Sequence, residues 1–382
     1  MDFELSEEQS ILKDSLTRLL ADNYGFEQRK KYLAAPEGWS AGMWGKYAEM
    51  GLMALPFAEE DGGIGGGPVE TMIVIEALGG ALALEPYFPT VVLGGGFLRL
   101  GGNDALRAEL APKVADGSLK FAFAHTERHS RYDLNQVETR AARDGKDWRL
   151  SGAKGVVIGG DSAGKIVVTA RTAGGRSDEK GIGVFLVDAS AEGVSRRGYP
   201  MQDGQRAAEI TLENVAVPGE AVFGDPEDGL PLARRIVDQG IAALSAEAVG
   251  VMAAMHALTV DYMKVRKQFG VPIGSFQVLQ HKAVDMFVAI EQARSITYFA
   301  TMMADSEDAG ERARAMHAAK AEIGRGGTLV GQNAVQIHGG VGMTMEYAVG
   351  HYFKRMTMID FTFGDSSHHL GKLAETGGLF AA

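Results

Sequence analysis

The chain has 382 residues, 46% hydrophobic and 23% charged, enough for two or three domains and a large shared core. It contains no cysteine, which excludes disulfides, thiolate metal sites and cysteine nucleophiles, and its net charge of −11 argues against nucleic acid, whose binding rests on phosphate neutralisation by Lys and Arg. That charge does not exclude an anionic small molecule held in a local basic pocket.

From Glu7 to about Val114 the apolar residues recur at three- and four-residue spacing, in "EEQSILKDSLTRLLADNY", "WGKYAEMGLMAL", "VETMIVIEALGGAL" and "DALRAELAPKVADG". These stretches predict helices. The glycines of "EEDGGIGGGPVE" invite a phosphate-loop reading, but no strand precedes them, and a turn before a helix accounts for them better. Near Leu119 the character changes. "LKFAFAH", "DWRLSGAKGVVIG", "KIVVTART", "GIGVFLVDAS" and "AAEITLENVAVP" are short, β-branched and divided by Gly, Asp, Ser and Lys turns. They predict an antiparallel β-barrel or sandwich of about 100 residues.

From Gly229 the pattern is helical again. "LPLARRIVDQGIAALSAEAVGVMAAMHALTVDYMKVRKQF" has no breaker after Pro231, which suits a first helical turn, and predicts a helix of about 36 residues. Two more long apolar-striped segments follow, so a helical bundle is expected, with helices paired across subunits. Methionines such as Met252, Met255, Met263, Met286, Met302 and Met303 read as core filler. The fold class is therefore α+β: a helical domain over 1–118, a β domain over 119–222 and a helical bundle over 223–382. No apolar run of transmembrane length stands out, and the N-terminus lacks the order of a signal peptide. No membrane association and a cytoplasmic location are expected.

The pattern of a bundle di-metal site is missing, as are His-Glu-x-x-His and Gly-x-Ser-x-Gly, and no metal is expected. "FTFGDSSHHL", Phe361 to Leu370, gathers an acid, serines and paired histidines. It reads either as a site or as a helix start capped by Asp365 or Ser366; adjacent Ser and His seldom form a triad.

Two further segments are distinctive: "RKQFGVPIGSFQVLQHK", Arg266 to Lys282, and "VQIHGGVGMTMEYAVGHYFKR", Val335 to Arg355. With the helix–β–helix order they resemble the C-terminal signatures of the acyl-CoA dehydrogenase family, and the resemblance covers essentially the whole chain. It implies FAD as cofactor and the α,β-desaturation of an acyl-CoA thioester, with a carboxylate base and hydride transfer to the flavin. It also implies dimers or dimers of dimers, electron-transfer flavoprotein as acceptor, and an FAD shared between subunits. Within the family the chain is most similar to small subunits of bacterial pimeloyl-CoA dehydrogenases. That suggests a dicarboxylyl-CoA substrate, with a bulky side-chain acyl-CoA, as in steroid catabolism, as the alternative.

The set that grips a neighbour's FAD matches. Arg266 falls on the arginine that meets the pyrophosphate, Phe269 and Gln277 on the motif's aromatic and glutamine, and Gln336, Gly339 and Gly340 on the later loop. The set for the chain's own flavin departs from the pattern. Thr126, Glu127 and Asp133 match, but "TERHSRYD" has Arg128, His129, Arg131 and Tyr132 where small residues are usual. The family's Trp-Ile-Thr becomes Val156, Val157 and Ile158, and an arginine of the long helix becomes Ile241.

The glutamate base falls on Gly364, and the alternative base position of some relatives on Gly240. Asp365 and Glu247 are the nearby acids, and an error of about 1 Å costs roughly a hundredfold. The resemblance therefore implies a heteromer, α2β2, in which a homologous catalytic subunit supplies base and flavin pocket. The alternatives are a homo-oligomer using Asp365 as base, tuned by His368 or His369, and a flavin-free scaffold protein.

Overall fold

The computed structural model describes residues 5–379. The chain opens with α1 (Glu7–Asn23), α2 (Phe26–Leu33), α3 (Ala41–Glu49) and α4 (Pro68–Gly80). A π-helical stretch, Phe88–Gly94, runs into α5 (Gly95–Leu100), and α6 (Asp104–Ala115) follows. The strands are β1 (Phe121–Ala124), β2 (Arg140–Asp144), β3 (Asp147–Ile158), β4 (Lys165–Arg171), β5 (Ile182–Asp188), β6 (Val194–Pro200), β7 (Arg206–Val217) and β8 (Val222–Phe223). Then come α7 (Leu230–Val265), the hairpin β9 (Lys267–Gln268) and β10 (Val271–Pro272), α8 (Gln277–Met303), α9 (Ala309–His338), α10 (Ala348–Phe361) and α11 (Ser366–Glu375).

Helix ends follow local chemistry. Ser6 and Gln9 form a reciprocal capping box at α1. Asp308 accepts from the N–H groups of Gly310 and Glu311 at the start of α9. The helical pattern of "WGKYAEMGLMAL" stops at Glu49, because Gly51 turns the chain at φ +72°.

Contacts divide the chain into two units. One comprises residues 32–67 and 84–240. Its sheet has the strand order β6-β7-β3-β2-β4-β5-β8, and β1 pairs with β4. The sheet is mixed, which corrects the antiparallel expectation: β1 runs parallel to β4, with Phe121 opposite Lys165 and Ala124 opposite Val168. A parallel pair needs a long crossover, and the segment carrying β2 and β3 provides it. Phe97 packs on Phe123 and Phe223 in the interior, with ring centroids at 4.8 and 5.9 Å.

The other unit comprises residues 5–31, 68–83 and 241–379. Small residues set its helix spacing. A Cβ at Gly79 would lie 2.4 Å from the Glu247 carbonyl oxygen, and one at Gly250 would lie 2.0 Å from that of Glu76, so α4 and α7 cross backbone to backbone. On α9, Gly324, Gly327 and Gly331 line one face, where added Cβ atoms would strike Asp360, Met356 and Phe353 of α10. Arg355 of α10 donates to both carboxylate oxygens of Glu247 on α7 at 2.6 Å, deep in the interior.

Helix α7 has the predicted length of 36 residues. It is also long and apolar enough to cross a membrane, which corrects the sequence expectation, but 72% of its apolar window is buried within the fold. The helical reading through Phe269 is corrected too. Helix α7 ends at Val265, because Phe269 and Gly270, at φ +55° and +85°, make the tight turn between β9 and β10.

Candidate functional site

A cavity of about 560 Å³ opens where the end of α7, the β9–β10 hairpin, α8 and the end of α9 meet. It gathers Arg266, Gln336, Gly339 and Gly340 from the sequence prediction. Tyr262, Lys282 and His338 also line it, and sequence reasoning did not single them out. Arg266 sits one residue beyond α7, its N–H bonded to the Tyr262 carbonyl at 2.9 Å. Phe269 and Gln277 lie outside the lining. Phe269 is 93% exposed at the hairpin tip, with Phe276 edge-on at 6.1 Å, and Gln277 is exposed at the first position of α8.

The aromatic side of the cavity is fixed. Tyr262 stacks on His338 at 4.5 Å. The His338 Nδ1–H donates to the Ala334 carbonyl at 2.8 Å, so its Nε2 accepts from the Tyr347 hydroxyl at 3.3 Å. Burial lowers the His338 pKa, which suits that neutral tautomer. The donors are a different matter. Among the described residues, the side chains of Arg266 and Gln336 have no hydrogen-bond or ion-pair partner, and the Lys282 ammonium meets only Asn333 Oδ1, at 2.9 Å. A Cβ added at Gly339 or Gly340 would meet nothing within 4 Å, so these glycines leave room beyond the chain itself. Gly339 also needs its positive φ of +62° to end α9. Two cations, an uncommitted amide and an open glycine turn, with no carboxylate in the lining, form a donor set that fits a diphosphate ester.

The stretch "FTFGDSSHHL" forms the turn between α10 and α11. Asp365 is the N-cap of α11, accepting the His368 N–H at 2.8 Å, and Asp360 accepts the Ser366 N–H at 3.1 Å. Phe363 and Gly364 take φ of +62° and +120°. At Gly364 a Cβ would lie 2.7 Å from both His368 Cδ2 and His369 Nε2. The imidazoles therefore occupy the space where a side chain would begin. His369 is buried, its Nε2–H donates to the Phe363 carbonyl at 3.1 Å, and its Nδ1 accepts from His317 Nδ1–H at 2.9 Å. Burial, aided by the nearby Lys320 charge, pushes the His369 pKa down to about 2, and burial lowers His317 to about 4. Buried Lys320, itself lowered to about 7 by desolvation, donates to the carbonyls of Ile359 and Asp360 at the end of α10. Glu247 is held by Arg355, and Gly240 offers no side chain.

In the other unit, Thr126 and its neighbours serve the fold. Glu127 is buried; its Oε1 accepts Lys154 Nζ at 2.7 Å and the Thr139 N–H at 3.0 Å, and its Oε2 the Glu138 N–H at 2.7 Å. Burial alone would raise this carboxyl, but the Lys154 ammonium and these bonds hold it below its usual value. Ser130 closes a turn onto Glu127, while Arg128, His129 and Arg131 are exposed. The Thr126 hydroxyl lies 3.3 Å from Nδ1 of His125, whose pKa burial pushes down to about 3. Val157 is buried, whereas Val156 is half exposed at φ +50°, where the β3–β7 register shifts. A β-branched residue rarely adopts that conformation, and the bulge imposes it.

Comparison with known proteins agrees with this architecture. Residues 6–118, 122–215 and 227–377 match the models of the N-terminal, middle and C-terminal domains of acyl-CoA dehydrogenases. The chain is 30% identical to acyl-CoA dehydrogenase FadE12 of Mycobacterium tuberculosis, over 90% of this chain and 89% of that one. It is 28% identical to probable acyl-CoA dehydrogenase YngJ of Bacillus subtilis, over 96% and 97%. A solved structure, of a variant of the Tcur3481-Tcur3483 steroid ACAD, superposes with a TM-score of 0.87 at 28% identity, covering 97% of each chain. The chain therefore belongs to the acyl-CoA dehydrogenase family of FAD-dependent oxidoreductases.

Proposed function

We propose that this chain is the catalytically depleted subunit of a heteromeric, α2β2 acyl-CoA dehydrogenase and completes the FAD site of a homologous partner. The carrying observation is Gly364, which stands where the family resemblance expects the base. Its backbone lies at φ +120°, and His368 and His369 fill the space a side chain would enter. Asp365 is turned to capping α11, and Glu247 is neutralised by Arg355. When bound, FAD supplies hydride acceptance from the acyl-CoA β-carbon. This chain's part is to hold the partner's FAD. Arg266 would meet its diphosphate, Gln336 would donate an amide N–H, and the Gly339–Gly340 turn would admit close approach.

The surface around the cavity supports a partner. Phe269, Val271, Val278, Val341 and Met343 are exposed, at 93, 40, 64, 41 and 76%. Large apolar side chains gathered on a hairpin and the neighbouring turns are a hallmark of a covered surface. A heteromer is also in keeping with the paired naming of the similar Tcur3481-Tcur3483 structure. The substrate is a dicarboxylyl-CoA such as pimeloyl-CoA on the subfamily resemblance, and electron-transfer flavoprotein is the acceptor. The test is Asp365→Asn in the purified complex. Turnover stays largely intact, because Asn also caps a helix. A fall of several orders of magnitude would make Asp365 the base and overturn the proposal.

A further inference from the structure

We infer that Lys282 is a second diphosphate-binding cation beside Arg266, an inference that rests on the reading of this cavity as a dinucleotide site. Among the described residues the lining holds two basic side chains, Arg266 and Lys282, and no carboxylate. That imbalance stands out in a chain with a net charge of −11. Cations on the surface of such a protein commonly sit against acids, as Lys180 does with Asp228 and Lys264 with Asp261. Lys282 does not. Among the described residues its only polar partner is the neutral Asn333 amide oxygen, at 2.9 Å.

That single bond aims the ammonium without neutralising it. Asn333 lies on α9, three residues before Gln336, and Lys282 lies on α8, five residues after Gln277. The bond thus ties the helix that carries Lys282 to the one that carries Gln336 and ends at the Gly339–Gly340 turn. Two of the three ammonium donors stay uncommitted. The chemistry divides naturally: the planar Arg266 fork suits paired oxygens of one phosphate, and the compact Lys282 ammonium suits the charge of the other.

The test uses the full-length chain and ADP as probe, titrated by calorimetry, with AMP as the single-phosphate comparison. The wild type binds ADP more tightly than AMP. Lys282→Met, which keeps the apolar stem, weakens ADP binding about tenfold or more and leaves AMP much less affected. Asn333→Asp separates a ligand role from a structural one. It pairs Lys282 with a carboxylate, which strengthens the helix tie but neutralises the cation, so ADP binding falls while urea stability holds or rises. Unchanged ADP affinity in both variants, with loss in Arg266→Ala, would overturn the role of Lys282 and leave the cavity reading intact. No ADP binding by the wild type at millimolar concentration would overturn both.

Discussion

The loop around Thr126 and the cavity around Arg266 both carry polar residues that match the family pattern, and the fold treats them in opposite ways. Around Thr126 two buried polar side chains are satisfied within the chain: Glu127 by Lys154 and two backbone N–H groups, Ser130 by Glu127. Around the cavity, Arg266 and Gln336 have no partner among the described residues, and Lys282 has one neutral partner. A buried donor the fold has used is structural; an exposed donor the fold has left open is free to meet a ligand. The Gly364 turn falls on the closed side of this contrast, since His317, His369, Lys320, Asp360 and Asp365 all bond within it.

The largest expected effect lies on the closed side. Lys154→Met strands the Glu127 carboxylate in the interior and lowers stability by about 3–5 kcal/mol in urea unfolding. A loss under about 1 kcal/mol would mean that the loop is not closed as described. On the open side, Arg266→Ala lowers the FAD affinity of the complex by roughly tenfold to a hundredfold, read as retained flavin after dilution and gel filtration. The stability of the chain changes by no more than about 0.5 kcal/mol, because no side chain or backbone group among the described residues bonds to that guanidinium. Unchanged flavin retention would contradict the assignment.

A smaller effect sharpens the reading of the Gly364 turn. His317 and His369 are neutral in the fold, with pKa values lowered to about 4 and about 2 from an ordinary 6.5. The unfolded chain therefore binds more protons than the folded one below about pH 6.5, and stability falls as pH drops from there toward about 4. Protonating His317 adds a charge at its Nε2 in a buried site and leaves the His317–His369 bond in place, whereas protonating His369 puts hydrogens on both facing Nδ1 atoms and breaks it. The groups around the pair are Lys320, His368, Lys372 and Glu375, and Lys320, lowered to about 7, is already neutralising as pH rises through that value. His317→Gln flattens the slope between pH 6.5 and 4 in urea midpoints, and an unchanged slope would contradict the assigned protonation.

Much of the fold was legible because its causes are local. The length of α7 follows from a run without breakers after Pro231, and the start of α11 from the capping position of Asp365. The two C-terminal segments were recognisable because a dense, gap-free spacing of Arg, aromatic, Gln and Gly is hard to reach by chance. What was not legible depends on distance in sequence or on backbone conformation. The parallel β1–β4 pair joins strands separated by a hairpin. The turn at Phe269 needs a positive φ that Phe rarely takes, so the helical pattern in the sequence runs on past the true helix end. His317 meets His369 across 52 residues, and Lys282 meets Asn333 across 51. No local pattern announces either pair.

In the proposed heteromer this chain lends donors to another subunit's cofactor and has closed its own site. The most direct measurement is the visible spectrum and turnover of the chain purified alone, set beside the chain co-expressed with a homologous catalytic subunit. The expected result is a colourless, inactive chain alone and a yellow, active complex with FAD at half the potential sites. Stoichiometric yellow FAD and acyl-CoA turnover in the isolated chain would contradict it, and no FAD even with the partner would point instead to a flavin-free scaffold.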